Sequence, residues 1–155
     1  MKNNVTRYLD QQKIDYEIFE LPAEKLGAEV TASLLGQSLE IIFKTIVVKR
    51  SGRGKTILAV VPGTSEVDLK ALAKVMGEKK VFLTTQKEAE SLTGLLVGGS
   101  SPLALVNRGF QVVLDSSAQD HDRVHISGGE RGLNIRLPVV DLIKITKALT
   151  AVISR

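Results

Sequence analysis

The sequence predicts a single α+β domain built on a mixed β-sheet, and three observations carry that expectation. Short segments with helical spacing are interleaved irregularly with β-branched runs, which fits neither a helical bundle nor a regular strand–helix alternation. No internal repeat, linker or low-complexity tract interrupts residues 1–155, a length suited to one domain that buries about two-thirds of its unfolded surface. The hydrophobic fraction of 43% is that of an ordinary packed core.

Each element has a local cause. Residues 5–12 read as a helix with Asn4 as N-cap. Residues 16–21 alternate apolar and polar and form a strand stopped by Pro22. Residues 28–35 are a helix ended by Gly36. The β-branched runs 41–49 and 56–61 flank a basic, glycine-containing hairpin loop of Arg50, Arg53 and Lys55. Leu69, Leu72, Ala73 and Met76 sit at helical spacing in 68–76, with Gly77 as the stop. A short strand covers 81–83, and Thr85 with Glu88 makes a capping box that opens another helix. Strands follow at 111–114, 124–127 and 133–137. Pro138 suits the first turn of a last helix that runs through Leu142, Ile145 and Leu149.

Composition narrows the function. No cysteine is present, so disulfides, thiolate metal sites and a cysteine nucleophile are excluded. No apolar run approaches the ~20 residues of a membrane span, and the polar start does not read as a signal peptide; a cytoplasmic protein with no membrane partner is expected. A net charge of +4 permits contact with a phosphate backbone without demanding it. Aromatic residues are 4% and tryptophan is absent, which argues against a platform of stacked bases. RNA would be held by phosphates and by one end pocket.

Few residues stand out chemically. Lys44 interrupts the apolar strand Ile41-Ile42-Phe43-Lys44-Thr45-Ile46-Val47-Val48. Such a lysine either snorkels to water or is held at a site by an anionic group. His121 and His125 are four apart but span a loop and a strand, and no third ligand is evident, so no metal is expected. Neither a nucleophile elbow, a Walker A loop nor a dinucleotide fingerprint occurs. What remains is a pair of glycine-rich turns, 94–102 and 127–134, each with adjacent hydroxyls. Such turns let a ligand lie against backbone N–H groups, and together they read as two walls of one site.

Taken in order and spacing, four motifs carry a resemblance. They are Phe43-Lys44-Thr45; Val60-Val61-Pro62 followed by Asp68-Leu69-Lys70; Thr93-Gly94 with Val97-Gly98-Gly99-Ser100-Ser101-Pro102; and Ser127-Gly128-Gly129-Glu130-Arg131-Gly132-Leu133. Over nearly the whole chain, about residues 5–153, the sequence resembles the YbaK/EbsC-type aminoacyl-tRNA editing proteins, kin of the editing domain of bacterial prolyl-tRNA synthetases. The resemblance implies a mainly antiparallel, barrel-like sheet core surrounded by helices. It implies a free-standing deacylase that hydrolyses the ester between a wrong amino acid and the terminal ribose of tRNA-Pro or a similar tRNA. A non-catalytic module of the same fold that binds tRNA or a synthetase is the alternative. No cofactor and no DNA are implied; the partners are the aminoacylated tRNA end and, as a further option, a synthetase.

The resemblance also assigns roles. Lys44 would hold the terminal phosphate or ribose as a point charge. Backbone N–H groups at Gly98 and Gly99 would stabilise the oxyanion. Leu21, Thr45, Ser100, Ser127, Gly128 and Asn134 would contact the substrate. Several relatives have an aspartate at Asn134 and a polar residue at Leu21; the apolar, neutral pair here favours a small uncharged amino acid such as alanine or cysteine. The nucleophile would be water, or the thiol of a cysteinyl substrate closing into a thiolactone. Arg50, Arg53 and Lys55, with Lys79 and Lys80, are the densest basic clusters outside the site: either a solvated surface or a contact to tRNA phosphates.

Overall fold

The computed structural model describes residues 2–155. In chain order the elements are α1 (Asn4–Gln11), β1 (Glu17–Glu20), α2 (Ala28–Leu35), β2 (Phe43–Arg50), β3 (Thr56–Pro62), α3 (Leu69–Val75), β4 (Val81–Leu83), α4 (Gln86–Thr93), β5 (Phe110–Asp115), β6 (Arg123–Ser127), β7 (Leu133–Pro138), α5 (Val139–Thr146) and β8 (Leu149–Ala151). Three short 3-10 turns lie among them.

The strands form two sheets. One has the order β1-β7-β6, antiparallel throughout. The other has the order β4-β2-β3-β5-β8; β2 pairs antiparallel with β4 and β3, while β3–β5 and β5–β8 are parallel. The fold is thus α+β with mixed sheets, as the sequence predicts, but the barrel-like core is not formed. Backbone pairing between the sheets is confined to the isolated bridge between Ile42 and His125 among the described residues. The large sheet ends on edge strands of three residues each, β4 and β8, too short to carry pairing round to closure.

Strand alternation distributes the core. On β3, Leu58 and Val60 join a cluster with Val112 and Leu114 of β5, Ile126 and Ile135 of the small sheet, Leu9 of α1 and Leu142 of α5. The other parity, Ile57, Ala59 and Val61, packs with Val113, Leu72 of α3 and Ile153. β3 is therefore buried on both faces, which explains its unbroken apolar run. Each fully buried leucine or isoleucine contributes about 1.5–3 kcal/mol.

Three end assignments shift. The N-cap of α1 is Asn3, not Asn4: its side chain accepts from Thr6 N at 2.9 Å, and its N–H donates to Thr6 Oγ1 at 2.8 Å. Pro138 stands just before α5, at its N-cap. That helix stops at Thr146 because Lys147 turns left-handed with φ 55°, so Leu149 begins β8 instead of extending the helix. The capping box of Thr85 and Glu88 is present at the start of α4.

Candidate functional site

A cavity of about 420 Å³ opens where the two sheets meet. Its walls are the start of β2, the chain after β1, the start of α2, the start of α4, the 97–100 turn, and β7 with its preceding loop. It gathers Leu21, Lys44, Thr45, Gly98, Ser100, Ser127 and Asn134. Chain segments far apart in sequence carry these residues.

Lys44 follows buried Phe43, at the start of β2, and pairs with Val61 of β3. Its side chain is half-buried. It has no hydrogen bond or ion pair among the described residues. A second cavity, about 780 Å³, adjoins the first through Lys44, Ile46 and Thr84 and includes Lys70 and Arg155. Lys44 therefore lines two hollows, the second of which also includes Glu66 and Asp68, and its ammonium has no bonded partner among the described residues.

The glycine turns are parts of one wall and touch each other. A Cβ on Gly99 would lie 2.9 Å from the Arg131 nitrogen and from backbone atoms of Glu130. The Gly99 N–H donates to Leu96 O at 2.9 Å. Gly99 thus closes a turn and admits the second loop, and the cavity lining passes it by. Gly98 differs: it lines the cavity, has φ +97°, and its N–H has no acceptor among the described residues. Gly128 also lies behind the lining, packed on Leu133 with its N–H donating to Leu133 O at 2.8 Å.

Asn134 is 6% exposed and faces the cavity from β7. Its Oδ1 is 2.7 Å from Nδ1 of His125, a fully buried side chain on the neighbouring strand β6. Burial pushes the imidazole below its ordinary value of 6.5; the Asn134 contact opposes this and the Arg136 charge adds to it. A neutral imidazole facing an amide oxygen carries its proton on Nδ1. Asn134 then keeps its NH₂ end for the cavity. Nε2 of His125 is buried without a partner. Nothing in the spacing of His121 and His125 signals this role, because the contact runs across strands. Among the described residues no group of three or more His, Cys, Asp or Glu could hold a metal ion.

The rim is held by further residues that sequence patterning does not single out. Lys25 Nζ donates to Gln86 Oε1 at 3.0 Å, linking the loop after β1 to α4. The Leu21 N–H donates to Gly132 O at 2.8 Å, which continues the β1–β7 pairing to the cavity edge. A Cβ on Gly132, whose φ is +89°, would meet Leu21 O at 2.8 Å.

The basic cluster lies elsewhere. Arg50 is at the far end of β2, about 20 Å from Lys44 at ~3.4 Å per residue. Its Nε donates to Glu78 Oε1 at 3.0 Å, and the Glu78 carboxylate also accepts from Ser51 and Gly52. Arg53, Lys55, Lys79 and Lys80 around this pair are exposed. Among the described residues no helix is long and apolar enough to cross a membrane.

Comparison with known proteins identifies the family. A family described as the aminoacyl-tRNA editing domain matches residues 23–145. The chain is 36% identical over 155 residues to a protein of Enterococcus faecalis named as a candidate Cys-tRNA(Pro)/Cys-tRNA(Cys) deacylase, EbsC; the match covers 99% of this chain and 93% of that one. Among solved structures, the protein APE2540 superposes with a TM-score of 0.90 at 24% identity, covering 99% of this chain and 100% of the other. A candidate trans-editing enzyme for prolyl-tRNA synthetase superposes with a TM-score of 0.81 at 22% identity, covering 100% and 99%. The chain belongs to the aminoacyl-tRNA editing domain family.

Proposed function

We propose that this protein is an aminoacyl-tRNA deacylase acting on small, uncharged amino acids attached to tRNA-Pro or a similar tRNA. One observation carries the reading: Lys44, whose ammonium has no partner, and Gly98, whose N–H has no acceptor among the described residues, line the same cavity. An ester at a tRNA end needs both. It brings a phosphate and ribose for the cation, and a carbonyl oxygen that becomes negative for the N–H.

In the reaction water attacks the ester carbonyl carbon, and the oxyanion forms toward Gly98. The bond to the ribose oxygen then breaks, that oxygen takes the proton lost by the water, and free amino acid and tRNA leave. With a cysteinyl substrate the side-chain sulfur attacks the carbonyl carbon first, the bond to the ribose oxygen breaks with that oxygen taking the thiol proton, and water then opens the thiolactone to free cysteine. No serine or threonine lining the cavity hydrogen-bonds a histidine among the described residues, consistent with a nucleophile from outside the protein. Positioning alone lowers such a barrier by about 7 kcal/mol or more. Leu21 and the amide of Asn134 suit a short neutral side chain; one methylene is worth only ~1–3 kcal/mol in such a pocket, so more than one small substrate is accepted. The relative named as a deacylase of cysteinyl esters supports the same chemistry. Recruitment by a synthetase is compatible with this reading but is not needed for it.

The test is amino-acid release from alanyl-, cysteinyl-, seryl- and phenylalanyl-tRNA in parallel. Turnover of the small esters with little on the phenylalanyl ester is expected. Tight tRNA binding without release from any of them would instead favour a non-catalytic tRNA-binding module.

A further inference from the structure

The Val97–Gly98 peptide is held from behind by a cation. Arg131 Nε donates to the Val97 carbonyl at 2.7 Å. On the other side of the same residue, the Val97 N–H donates to Glu90 Oε2 at 2.8 Å. Neither Arg131 nor Glu90 has an ion pair among the described residues; both charges are directed at the backbone of one residue. The peptide that carries the Val97 carbonyl also carries the Gly98 N–H. There is no cis peptide among the described residues, so this C=O and this N–H point in opposite directions. Val97 and Gly98 line the cavity and Arg131 does not. With its carbonyl turned to Arg131, the peptide turns the Gly98 N–H away from Arg131.

We infer that Arg131 is a positioning residue for deacylation: it fixes and polarises the Val97–Gly98 peptide so that the Gly98 N–H meets the developing oxyanion. The inference rests on the deacylase reading and deepens it. Two physical effects combine. A charge-assisted hydrogen bond is roughly twice as strong as a neutral one, so the peptide plane is held before the substrate arrives. A cation on the carbonyl also draws electron density along the amide and strengthens the N–H as a donor, the cooperative effect expected in a hydrogen-bonded chain. Glu90 completes the hold by fixing the preceding N–H. Glycine at 98 is then required by its left-handed φ of +97°, while Arg131 sets the direction in which that conformation points its donor.

The test uses the whole protein with Arg131→Ala and Arg131→Gln. Deacylation of the best aminoacyl-tRNA from the panel is measured together with the ¹H–¹⁵N resonance of Gly98. Removing an oxyanion donor outright costs about 10²–10³ in kcat; leaving it present but unguided is expected to cost about 30-fold in kcat, with KM changed less than about threefold. Added guanidinium ion should restore much of the kcat of Arg131→Ala, and the Gly98 resonance should move in the variant and return on rescue. Arg131→Gln, which can still donate to the carbonyl but carries no charge, should fall between the two and serves as the reading if the alanine variant does not fold. Wild-type kcat in a folded variant, a loss carried by KM alone, or an unmoved Gly98 resonance would each overturn the inference. A wild-type protein that releases no amino acid overturns the deacylase reading; the Gly98 resonance still reports on the hold of Arg131 in that case.

Discussion

The two ends of β2 carry the same charge and opposite chemistry. At one end Lys44 has no partner among the described residues and stands between two hollows. At the other Arg50 is bound to Glu78, with side chains only 16% and 10% exposed. The difference separates a cation left unpaired at a cavity from one that ties a hairpin loop to the turn after α3. Residue type cannot make that distinction; the presence or absence of a carboxylate within ion-pair distance does.

The largest test of the contrast removes each cation in turn. Lys44→Ala should lower kcat/KM at least ~100-fold, about 2.7 kcal/mol, with the melting temperature almost unchanged, because the ammonium has no partner among the described residues. Arg50→Ala should do the reverse: near-normal deacylation in the folded fraction and a lower melting temperature. The pH dependence adds a second signature. The Arg50 hydrogen bond holds the Glu78 carboxyl below its ordinary value of 4.5, aided by Ser51. The stability from that depression is fully present above pH 4.5 and lost as pH falls through the lowered folded value. Arg50→Ala should erase that part of the acid-side decline in a melting-temperature series. Equal activity losses in the two variants would break the comparison.

The adjacent glycines sharpen the same point at shorter range. Gly99→Ala drives a Cβ to 2.9 Å from backbone atoms of the facing loop, which cannot move aside like a side-chain tip. It should destabilise the fold and lower activity in proportion. At Gly98 the nearest atoms stand at 3.3–3.5 Å, and the cost is the positive φ. Gly98→Ala should cut turnover more than stability if the proposed oxyanion role holds, because the new side chain must shift the Gly98 N–H. Melting curves beside single-turnover rates decide this; a Gly98→Ala protein with full turnover would remove the oxyanion role.

These contrasts mark what the sequence could and could not disclose. β2 and β3, the glycine stop of α2 at Gly36 and the Thr85 capping box were legible because each depends on neighbours within a few positions. Lys44 stood out because its charge breaks an apolar run, and it lines the cavity. Gly98 and Gly99 were indistinguishable, since composition does not say which N–H is already bonded. Arg131 lay within a turn read as a wall of the site, but its bond to the Val97 carbonyl, like the Glu90 and His125 contacts, could not be read from sequence, because each partner lies at least seven positions away. β8 was absorbed into a helix because nothing in Leu149–Ala151 announces the left-handed turn at Lys147.

His125 allows an intermediate test of how the neutral side of the cavity is maintained. Glu17 and Arg136 lie beside it in the cross-strand row of β1, β7 and β6, and the Phe19 ring is 5.4 Å away. Because burial lowers its folded value below 6.5, the unfolded chain binds the extra proton first. Stability is therefore full above pH 6.5 and declines as pH falls toward the lowered value. His125→Gln should flatten that decline in urea midpoints measured across the interval. An unchanged slope would mean that another group titrates there.

The smallest expected effect belongs to the exposed cations around Arg50. Arg53, Lys55, Lys79 and Lys80 project from the same end of the large sheet, since Arg50 pairs with Val81 immediately after Lys80. They lie about 20 Å from Lys44 by strand rise, a distance that a folded tRNA acceptor stem could span while its end enters the cavity. If they touch phosphates, tRNA affinity falls with salt at a log–log slope of roughly −0.7 to −0.9 per phosphate neutralised. Reversing Arg53 and Lys55 to glutamate should make the slope shallower by about that amount for each phosphate no longer neutralised. The ranking of amino acids should not change, because the cavity is untouched. The Lys44 variant should behave in the opposite sense, losing turnover with a smaller change in slope. A salt slope indifferent to both reversals would leave this end of the molecule a solvated surface and confine tRNA recognition to the cavity rim.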